Sequence, residues 1–158
     1  MLFKIKHIVF FLLLCISILP TFSQNEKINW LSWSQLENAL KEEPKPVLIF
    51  FHADWCAYCK KMKRKVFTNA SVIQQVNTDY YAVEMDVETK DTIVFDGVTF
   101  VNTEAEKKRN GIHELPLLLA SREDKPFSLP AILLLDKNFQ IKERIFEYYT
   151  SKQLLNTL

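Results

Sequence analysis

A short apolar run leads into a pair of cysteines, and this order of residues most restricts what the chain can fold into. Val47 to Phe51 is continuously apolar, which is typical of a strand buried on both faces in the middle of an α/β sheet. Cys56 and Cys59 follow closely, and the segment from Cys56 to Phe67 has apolar residues at helical spacing. A C-x-x-C pair between a buried strand and a helix predicts a redox-active dithiol.

The spacing of the two cysteines gives each of them a separate chemical task. Cys56 is predicted at the N-terminus of the helix, where unpaired backbone N–H groups and the helix dipole stabilise a thiolate. Such a position lowers the pKa of a cysteine from about 8.5 into the range of roughly 3.5 to 7.5. Cys59 lies one turn further in, within reach of the first sulfur. We therefore predict that both residues are catalytic, with Cys56 as the attacking thiolate and Cys59 as the resolving thiol.

Two other roles compete for the same pair. A structural zinc ion needs four ligands, and only His52 and His113 are available to complete the set because the sequence has no second C-x-x-C. An inert disulfide would close a loop of about three residues, which restrains little chain entropy. Redox chemistry fits the position of the pair better than either role, so we expect no metal and no cofactor.

The first 23 residues have the layout of a secretory signal. Lys4 and Lys6 give a positive start, the stretch from Ile8 to Leu19 is apolar apart from Ser17, and a small residue, Ser23, ends the segment. This apolar stretch is shorter than the roughly 20 residues that span a bilayer. We expect cleavage after Ser23, which would leave one exported domain, residues 24–158.

The third cysteine, Cys15, lies inside this predicted signal. Bacterial lipoprotein signals place a small residue directly before the modified cysteine, whereas Leu14 has that position here, so lipid anchoring is the less favoured alternative. Removal of the signal lowers the number of Lys and Arg side chains from 20 to 18, against 19 Asp and Glu. A nearly neutral domain gives no reason to expect nucleic-acid binding.

Helical and strand patterns follow one another along the remaining chain. A capping box of the form Ser34-x-x-Glu37 predicts a first helix that ends before Pro44. The later elements are a short helical piece at Ser71–Val76, a strand at Tyr80–Val87, a hairpin at Thr92–Val101, a helix at His113–Ser121, strands at Ala131–Asp136 and Gln140–Tyr148, and a helix at Ser151–Leu158. This order predicts an α/β domain.

The hairpin is predicted from Asp96-Gly97, which lies between two stretches rich in β-branched and aromatic residues. Gly supplies the positive φ that a type I′ turn requires. An isolated two-stranded hairpin is marginally stable in water, so these strands must pack on the domain or extend its sheet.

Three segments together resemble one known family. Lys45 to Met62, which includes Trp55-Cys56-Ala57-Tyr58-Cys59-Lys60, resembles the active-site segment of exported bacterial thioredoxin-family proteins. It is most similar to the group that includes the periplasmic C-terminal domain of the transmembrane thiol:disulfide interchange reductase. Asp86 ends its strand as the Val-x-Asp pattern of the family does. Phe127 to Asp136 resembles the cis-proline loop of the family and the strand that follows it.

The resemblance implies a thioredoxin-like fold, with a central mixed β-sheet flanked by helices and the hairpin inserted before the cis-proline segment. It also implies a cis peptide bond between Leu129 and Pro130, facing the cysteines. In the family the backbone before this proline pairs with the bound substrate chain. Trp55, Leu129 and Pro130 are accordingly the expected substrate-binding residues.

Two departures from the family pattern bear on mechanism. Phe50 has the strand position at which thioredoxins carry a buried acid that assists the resolving cysteine, so proton transfer at Cys59 needs another group or water. The chain between Asp86 and Pro130 is also longer than in thioredoxins because it contains the hairpin. The insertion is expected either to influence partner choice or to elaborate the edge of the sheet.

These observations predict a thiol–disulfide oxidoreductase that acts on protein disulfides in the periplasm. The expected partners are protein thiols and disulfides and an upstream electron donor in the membrane or envelope, and the protein is expected to be a monomer. The direction of the reaction stays open. Two alternatives also stay open: a peptide-binding module with little turnover, and a redox sensor whose cysteine pair switches an interface.

Overall fold

The computed structural model describes residues 27–158; the predicted signal, residues 1–23, lies outside the described residues. The elements are α1 (Trp33–Glu42), β1 (Val47–His52), α2 (Ala57–Lys65), α3 (Ala70–Asp79), β2 (Tyr81–Asp86), β3 (Ile93–Phe95), β4 (Val98–Phe100), α4 (Glu114–Ala120), β5 (Ala131–Leu135), β6 (Ile141–Ile145) and α5 (Ser151–Thr157). Within this described part, no helix has both the length and the apolar composition needed to cross a membrane.

Four strands form a mixed central sheet in the order β2-β1-β5-β6. β1 runs parallel to β2 and antiparallel to β5, and β6 continues the sheet antiparallel to β5. All five apolar residues of β1 are fully buried, as expected for a central strand covered on both faces. The predicted α/β class with a mixed sheet flanked by helices is confirmed.

The sheet separates two apolar clusters, because successive side chains of a strand point to opposite faces. Leu48 and Phe50 belong to the cluster that contains both cysteines, which we call the cysteine-side cluster. Val47, Ile49 and Phe51 belong to the cluster on the other face, which we call the far-side cluster. Because α2 begins directly after β1, the cysteines lie at the edge of one face of the sheet.

The start of α1 differs from the sequence-based expectation. The predicted capping box at Ser34 and Glu37 is wrong; the box is formed by Ser32 and Gln35. The Gln35 N–H donates to Ser32 Oγ at 3.2 Å, and the Ser32 N–H donates to Gln35 Oε1 at 2.8 Å. The earlier start brings Trp33 into the helix, where it is buried. The helix ends at Glu42, before Pro44 as expected.

Two other elements differ most in length from the predictions. The third helix continues to Asp79, beyond the predicted end at Val76, and Asn69 caps its N-terminus through two bonds to Oδ1. β6 ends at Ile145 rather than at Tyr148, and the ring of Tyr148 lies 6.2 Å from the ring of Tyr58. The end of β6 therefore leads the chain from the sheet to the surface beside the cysteines.

The predicted hairpin is present as a separate two-stranded sheet. Asp96 and Gly97 have φ values of 52° and 72°, as a type I′ turn requires. The ring of Phe95 packs edge-on against Trp33 at 5.2 Å and lies 5.2 Å from Phe139. The hairpin therefore packs on the far-side cluster and does not extend the central sheet.

A loop follows the hairpin and returns the chain to the end of β2. The His113 N–H donates to the Val87 carbonyl at 2.8 Å, which closes the base of a larger segment, residues 88–112, that contains the hairpin and that we call the insertion from here on. Inside it, buried Asn102 donates to the carbonyls of Thr89 and Gly111 and accepts from the Ala105 N–H. The insertion is thus a closed, internally bonded unit.

Candidate active site

Cys56 and Cys59 form a disulfide at the start of α2, with their Cα atoms 5.2 Å apart. Cys56 is the N-cap residue, and its Sγ accepts a hydrogen bond from the Cys59 N–H at 3.1 Å. The Cys56 N–H donates to the Ala53 carbonyl at 3.0 Å, and the Cys56 carbonyl accepts from Lys60. The geometry places the sulfur of Cys56 at the end of the helix where backbone N–H groups lack carbonyl partners.

The disulfide is buried, but the residues beside it are not. Cys56 and Cys59 expose 4% and 1% of their surfaces, whereas Trp55 and Tyr58 expose 61% and 60%. Large aromatic side chains are usually buried in proteins or in interfaces. Two large aromatic side chains are therefore exposed on either side of Cys56 in the sequence.

The exposed side of α2 is rich in basic side chains. Lys60, Lys61, Lys63, Arg64 and Lys65 are all exposed on α2. The Lys61 ammonium lies 4.1 Å from the centre of the Tyr148 ring, a cation–π contact. Lys60 and Lys61 are the members of this set nearest to Cys56 along the helix, and positive charge near a cysteine favours its thiolate form.

The segment before β5 carries the predicted cis-proline residues. The Leu129–Pro130 peptide bond is cis. Pro130 is buried, and Leu129 is partly buried and packs against both clusters, including the one that contains the cysteines. The loop ahead of it is held by Arg122, which donates to Ser128 Oγ at 2.7 Å and stacks on the Phe146 ring at 3.8 Å.

Phe50 is fully buried where the family resemblance places an acid. Its ring lies 4.8 Å from Phe67, 5.5 Å from His52 and 6.4 Å from Trp30. This aromatic packing leaves no carboxylate at that position. Any proton acceptor for Cys59 must therefore come from another residue or from water.

His52 is the ionisable residue two positions after Phe50, on the same face of β1. Its Nε2 lies 3.5 Å from the Lys63 ammonium, which in turn lies 2.9 Å from Glu84 Oε2. The second contact is an ion pair by distance but lacks hydrogen-bond geometry. Burial, and then the charge of Lys63, lower the pKa of His52, while Glu84, Asp86 and Asp54 oppose this shift. Both causes favour the uncharged form of His52.

His113 has a structural environment. It is completely buried as the N-cap of α4, and its Nδ1 accepts from the Leu115 N–H. Its Nε2 lies 3.1 Å from the Asp91 carbonyl, which can only accept, so Nε2 carries the proton. In residues 27–158 no three His, Cys, Asp or Glu side chains are grouped as a metal site would require.

Sequence reasoning missed one contact at this surface. The Trp55 indole N–H donates to Glu88 Oε1 at 2.6 Å, and Asn110 Nδ2 donates to the same oxygen at 2.6 Å. Asp86, the acid of the Val-x-Asp pattern, accepts from the Glu88 N–H at 2.9 Å. The sequence signal was weak, because Glu88 and Asn110 lie outside any periodic pattern.

Comparisons with known proteins agree with this architecture. A family model described as Thioredoxin-like matches residues 29–137, whereas no curated protein matches the sequence significantly. The solved structure of a DsbH oxidoreductase is similar, with a TM-score of 0.60, 18% identity and 89% of each chain covered. A thioredoxin from Thermus thermophilus has a TM-score of 0.58 at 15% identity, with 83% of this chain and 84% of that chain covered.

A third solved structure is the oxidised C-terminal domain of DsbD from Neisseria meningitidis. It has a TM-score of 0.49 and 21% identity, with 78% of this chain and 87% of that chain covered. At such identities the first two likenesses show a shared fold, and the chemistry of this chain has to be argued from its own residues.

Proposed function

The chain belongs to the thioredoxin-like family, and from this premise we propose that it is a thiol–disulfide oxidoreductase acting on protein disulfides in the cell envelope. The observation that carries the proposal is the Cys56–Cys59 disulfide at the N-terminus of α2, with the Cys59 N–H bonded to Sγ of Cys56. A dithiol in this position has one sulfur prepared as a thiolate and a second sulfur within bonding distance.

In the reducing direction the cysteines start as a dithiol. The Cys56 thiolate attacks one sulfur of a substrate disulfide, which forms a mixed disulfide and releases the other substrate sulfur as a thiolate that takes up a proton. Cys59 then loses its proton and attacks Sγ of Cys56. This step breaks the mixed disulfide and releases the second substrate thiolate, so two electrons pass from the protein to the substrate.

The resulting Cys56–Cys59 disulfide must be reduced by a donor dithiol before the next cycle. We assign that role to a thiol donor of the envelope, on the basis of the signal-like segment at residues 1–23. The reverse sequence of steps oxidises a substrate dithiol and leaves Cys56 and Cys59 reduced. The supply of electrons in the compartment decides which direction operates.

The substrate chain is proposed to lie across Trp55, Leu129 and Pro130. Trp55 is exposed directly before Cys56, and Leu129 packs against the cluster that contains both cysteines. A substrate segment that pairs with the backbone at Leu129 would then pass close to the attacking sulfur. Main-chain pairing of this kind gives affinity with little demand on substrate sequence.

Two single substitutions test the chemistry. We expect Cys56→Ser to abolish reduction of a protein disulfide, because no attacking thiolate is left. We expect Cys59→Ser to retain the first attack and to accumulate mixed disulfides on Cys56, which non-reducing electrophoresis and mass spectrometry detect. Retention of partners by the Cys56→Ser/Cys59→Ser double variant, together with no turnover by the wild type, would instead favour a binding module.

Export is tested separately from chemistry. Residues 1–23 are fused to a reporter enzyme that is active only after disulfide formation outside the cytoplasm. We expect the fusion to be active in a Gram-negative host and to lose activity when Lys4 and Lys6 are both replaced by Glu, because a positive start is part of the signal. An inactive, unprocessed wild-type fusion would contradict the envelope location and leave the redox chemistry unaffected.

A further inference from the structure

Glu88 joins two parts of the molecule that are distant in sequence. Its Oε1 accepts from the Trp55 indole N–H and from Asn110 Nδ2, both at 2.6 Å. Trp55 directly precedes Cys56, whereas Glu88 is the first residue of the insertion and Asn110 is near its end. One carboxylate oxygen therefore joins both ends of the insertion to the loop before the disulfide.

The insertion is able to hold Glu88 firmly. Its base is closed by the bond from the His113 N–H to the Val87 carbonyl, and its interior is joined by buried Asn102. The Glu88 N–H donates to Asp86 Oδ1 at 2.9 Å, which fixes the backbone of Glu88 as well. Both the main chain and the side chain of Glu88 thus have defined partners.

Trp55 needs such a partner because most of its surface is in solvent. Trp55 exposes 61% of its surface, so few packing contacts restrain its rotamer. A carboxylate that accepts the indole N–H selects one rotamer, and hydrogen bonds to charged groups are the stronger kind. A side chain that is already ordered before binding loses less conformational entropy when the partner binds, so binding is less costly.

We propose that Glu88 is a positioning residue that orients Trp55 for docking of protein substrates beside Cys56, with Asn110 holding Glu88 in place. This inference rests on the proposed function and deepens it, because it assigns part of the partner selection to the insertion. On this proposal a protein substrate contacts Trp55 when it docks beside Cys56, whereas a small disulfide reaches Cys56 without that contact.

The test compares Glu88→Ala, Glu88→Gln and Asn110→Ala with a matched control, Glu106→Ala. Glu106 is exposed in the same insertion, and its side chain makes no hydrogen bond with the described residues. Each variant is assayed by kcat/KM for a protein disulfide and for a small aromatic disulfide. The ratio of the two values removes effects on the cysteines themselves.

We expect Glu88→Ala to lower this ratio about five- to tenfold, the equivalent of one lost charge-assisted bond at an exposed site. Glu88→Gln keeps an acceptor oxygen and should recover most of the loss. The ratio for Asn110→Ala should lie between those of Glu88→Ala and Glu88→Gln, and the ratio for Glu106→Ala should match that of the wild type. In a Trp55→Phe background, Glu88→Ala should cause no further decrease, because its effect passes through the indole N–H.

A spectroscopic measurement separates positioning from general stability. The indole N–H resonance of Trp55 is assigned by its loss in Trp55→Phe, and we expect faster solvent exchange of this proton in Glu88→Ala but not in Glu106→Ala. An unchanged kinetic ratio, or an equal loss for both disulfides, overturns the proposal. If Glu88→Ala does not fold, the same kinetic ratio measured on Glu88→Gln and Asn110→Ala tests the proposal. Failure of the wild type to turn over even the small disulfide would instead refute the proposed function.

Discussion

The backbone N–H of Cys59 points at Sγ of Cys56 over a distance of 3.1 Å, inside the first turn of α2. This bond exists because Cys56 takes the N-cap position, where a side-chain acceptor replaces the missing carbonyl. Negative charge on Sγ of Cys56 therefore meets both a donor and the positive end of a helix. The sulfur of Cys59 lies further inside the helix, so the two thiols of the reduced protein are electrostatically unequal.

We predict that Cys56 is the more acidic and more reactive thiol of the reduced protein. Alkylation rates measured against pH on Cys56→Ser and Cys59→Ser give the pKa of each remaining thiol. We expect the thiol of Cys56 to titrate below the ordinary value of about 8.5 and to react faster at neutral pH than that of Cys59. Faster reaction of Cys59 at neutral pH would reverse the assigned roles.

A pH dependence of stability is expected from His52. Burial, followed by the charge of Lys63, lowers its pKa in the folded protein, whereas the unfolded chain has the ordinary value of about 6.5. Between these two pKa values the unfolded state binds more protons, so the free energy of unfolding rises with pH. His52 therefore lowers stability as the pH falls below about 6.5, and its contribution is constant at higher pH.

NMR titration of the His52 ring protons and urea unfolding between about pH 5 and 7.5 check this prediction. In His52→Asn the decrease in stability over this range should be smaller than in the wild type. Lys63→Gln removes the positive charge 3.5 Å from Nε2 and should raise the pKa of His52. A pKa of His52 at or above 6.5 in the wild type would contradict the expected sign.

The two glycines of the chain should respond differently to substitution. A Cβ at Gly111 would lie 2.5 Å from the backbone N of Ala105 and 2.5 Å from the backbone C of Glu104, so Gly111→Ala should cost about 1–3 kcal/mol as in other overpacked sites. A Cβ at Gly97 would meet nothing within 4 Å, but its φ of +72° is unfavourable for other residues, at about 1 kcal/mol.

Urea unfolding of both alanine variants provides the comparison. We expect the midpoint of Gly111→Ala to fall further than that of Gly97→Ala, because backbone atoms cannot move aside as the end of a flexible side chain can. A smaller loss for Gly111→Ala would show that the loop of residues 102–112 is loosely held. That result would also weaken the positioning role of Asn110, which belongs to the same loop.

The parts of the fold that local sequence patterns specify were predicted well. The buried strand before Cys56, the helix after it and the turn at Asp96-Gly97 each depend on neighbouring residues and their spacing. The prediction for α1 was wrong by two residues, because Ser32-x-x-Gln35 and Ser34-x-x-Glu37 are equally good capping boxes locally. Burial of Trp33 in the far-side cluster favours the box formed by Ser32 and Gln35. This burial depends on residues distant in sequence, so local patterns do not reveal it.

The contact from Trp55 to Glu88 and Asn110 was not predictable by the same means. Its residues are separated by 33 and 22 positions, and two of them lie in non-periodic loops. The resemblance to the thioredoxin family identified Asp86 only as the end of its strand, and its carboxylate caps the backbone of Glu88. Only the folded path of the insertion brings Glu88 to the indole.

The last prediction concerns the hairpin, Thr92 to Val101. Replacing it with a short Gly/Ser linker should leave reduction of a small disulfide within about twofold of the wild type, because the hairpin packs on the far-side cluster, on the other face of the sheet from the cysteines. The same change should lower the free energy of unfolding by about 2 kcal/mol or more, since partly buried Phe95 leaves its contacts with Trp33 and Phe139.

A matched variant, Phe95→Ala, separates packing from the rest of the hairpin. It should lower stability by a similar mechanism while the turn at Asp96-Gly97 and the loop around Asn102 stay in place. If the linker variant captures fewer natural partners on a Cys59→Ser background and Phe95→Ala does not, the hairpin surface itself takes part in partner choice. If small-disulfide turnover collapses in the linker variant while the domain stays folded, the hairpin supports the cysteine site directly. The prediction that the hairpin is not needed for the chemistry would then be wrong.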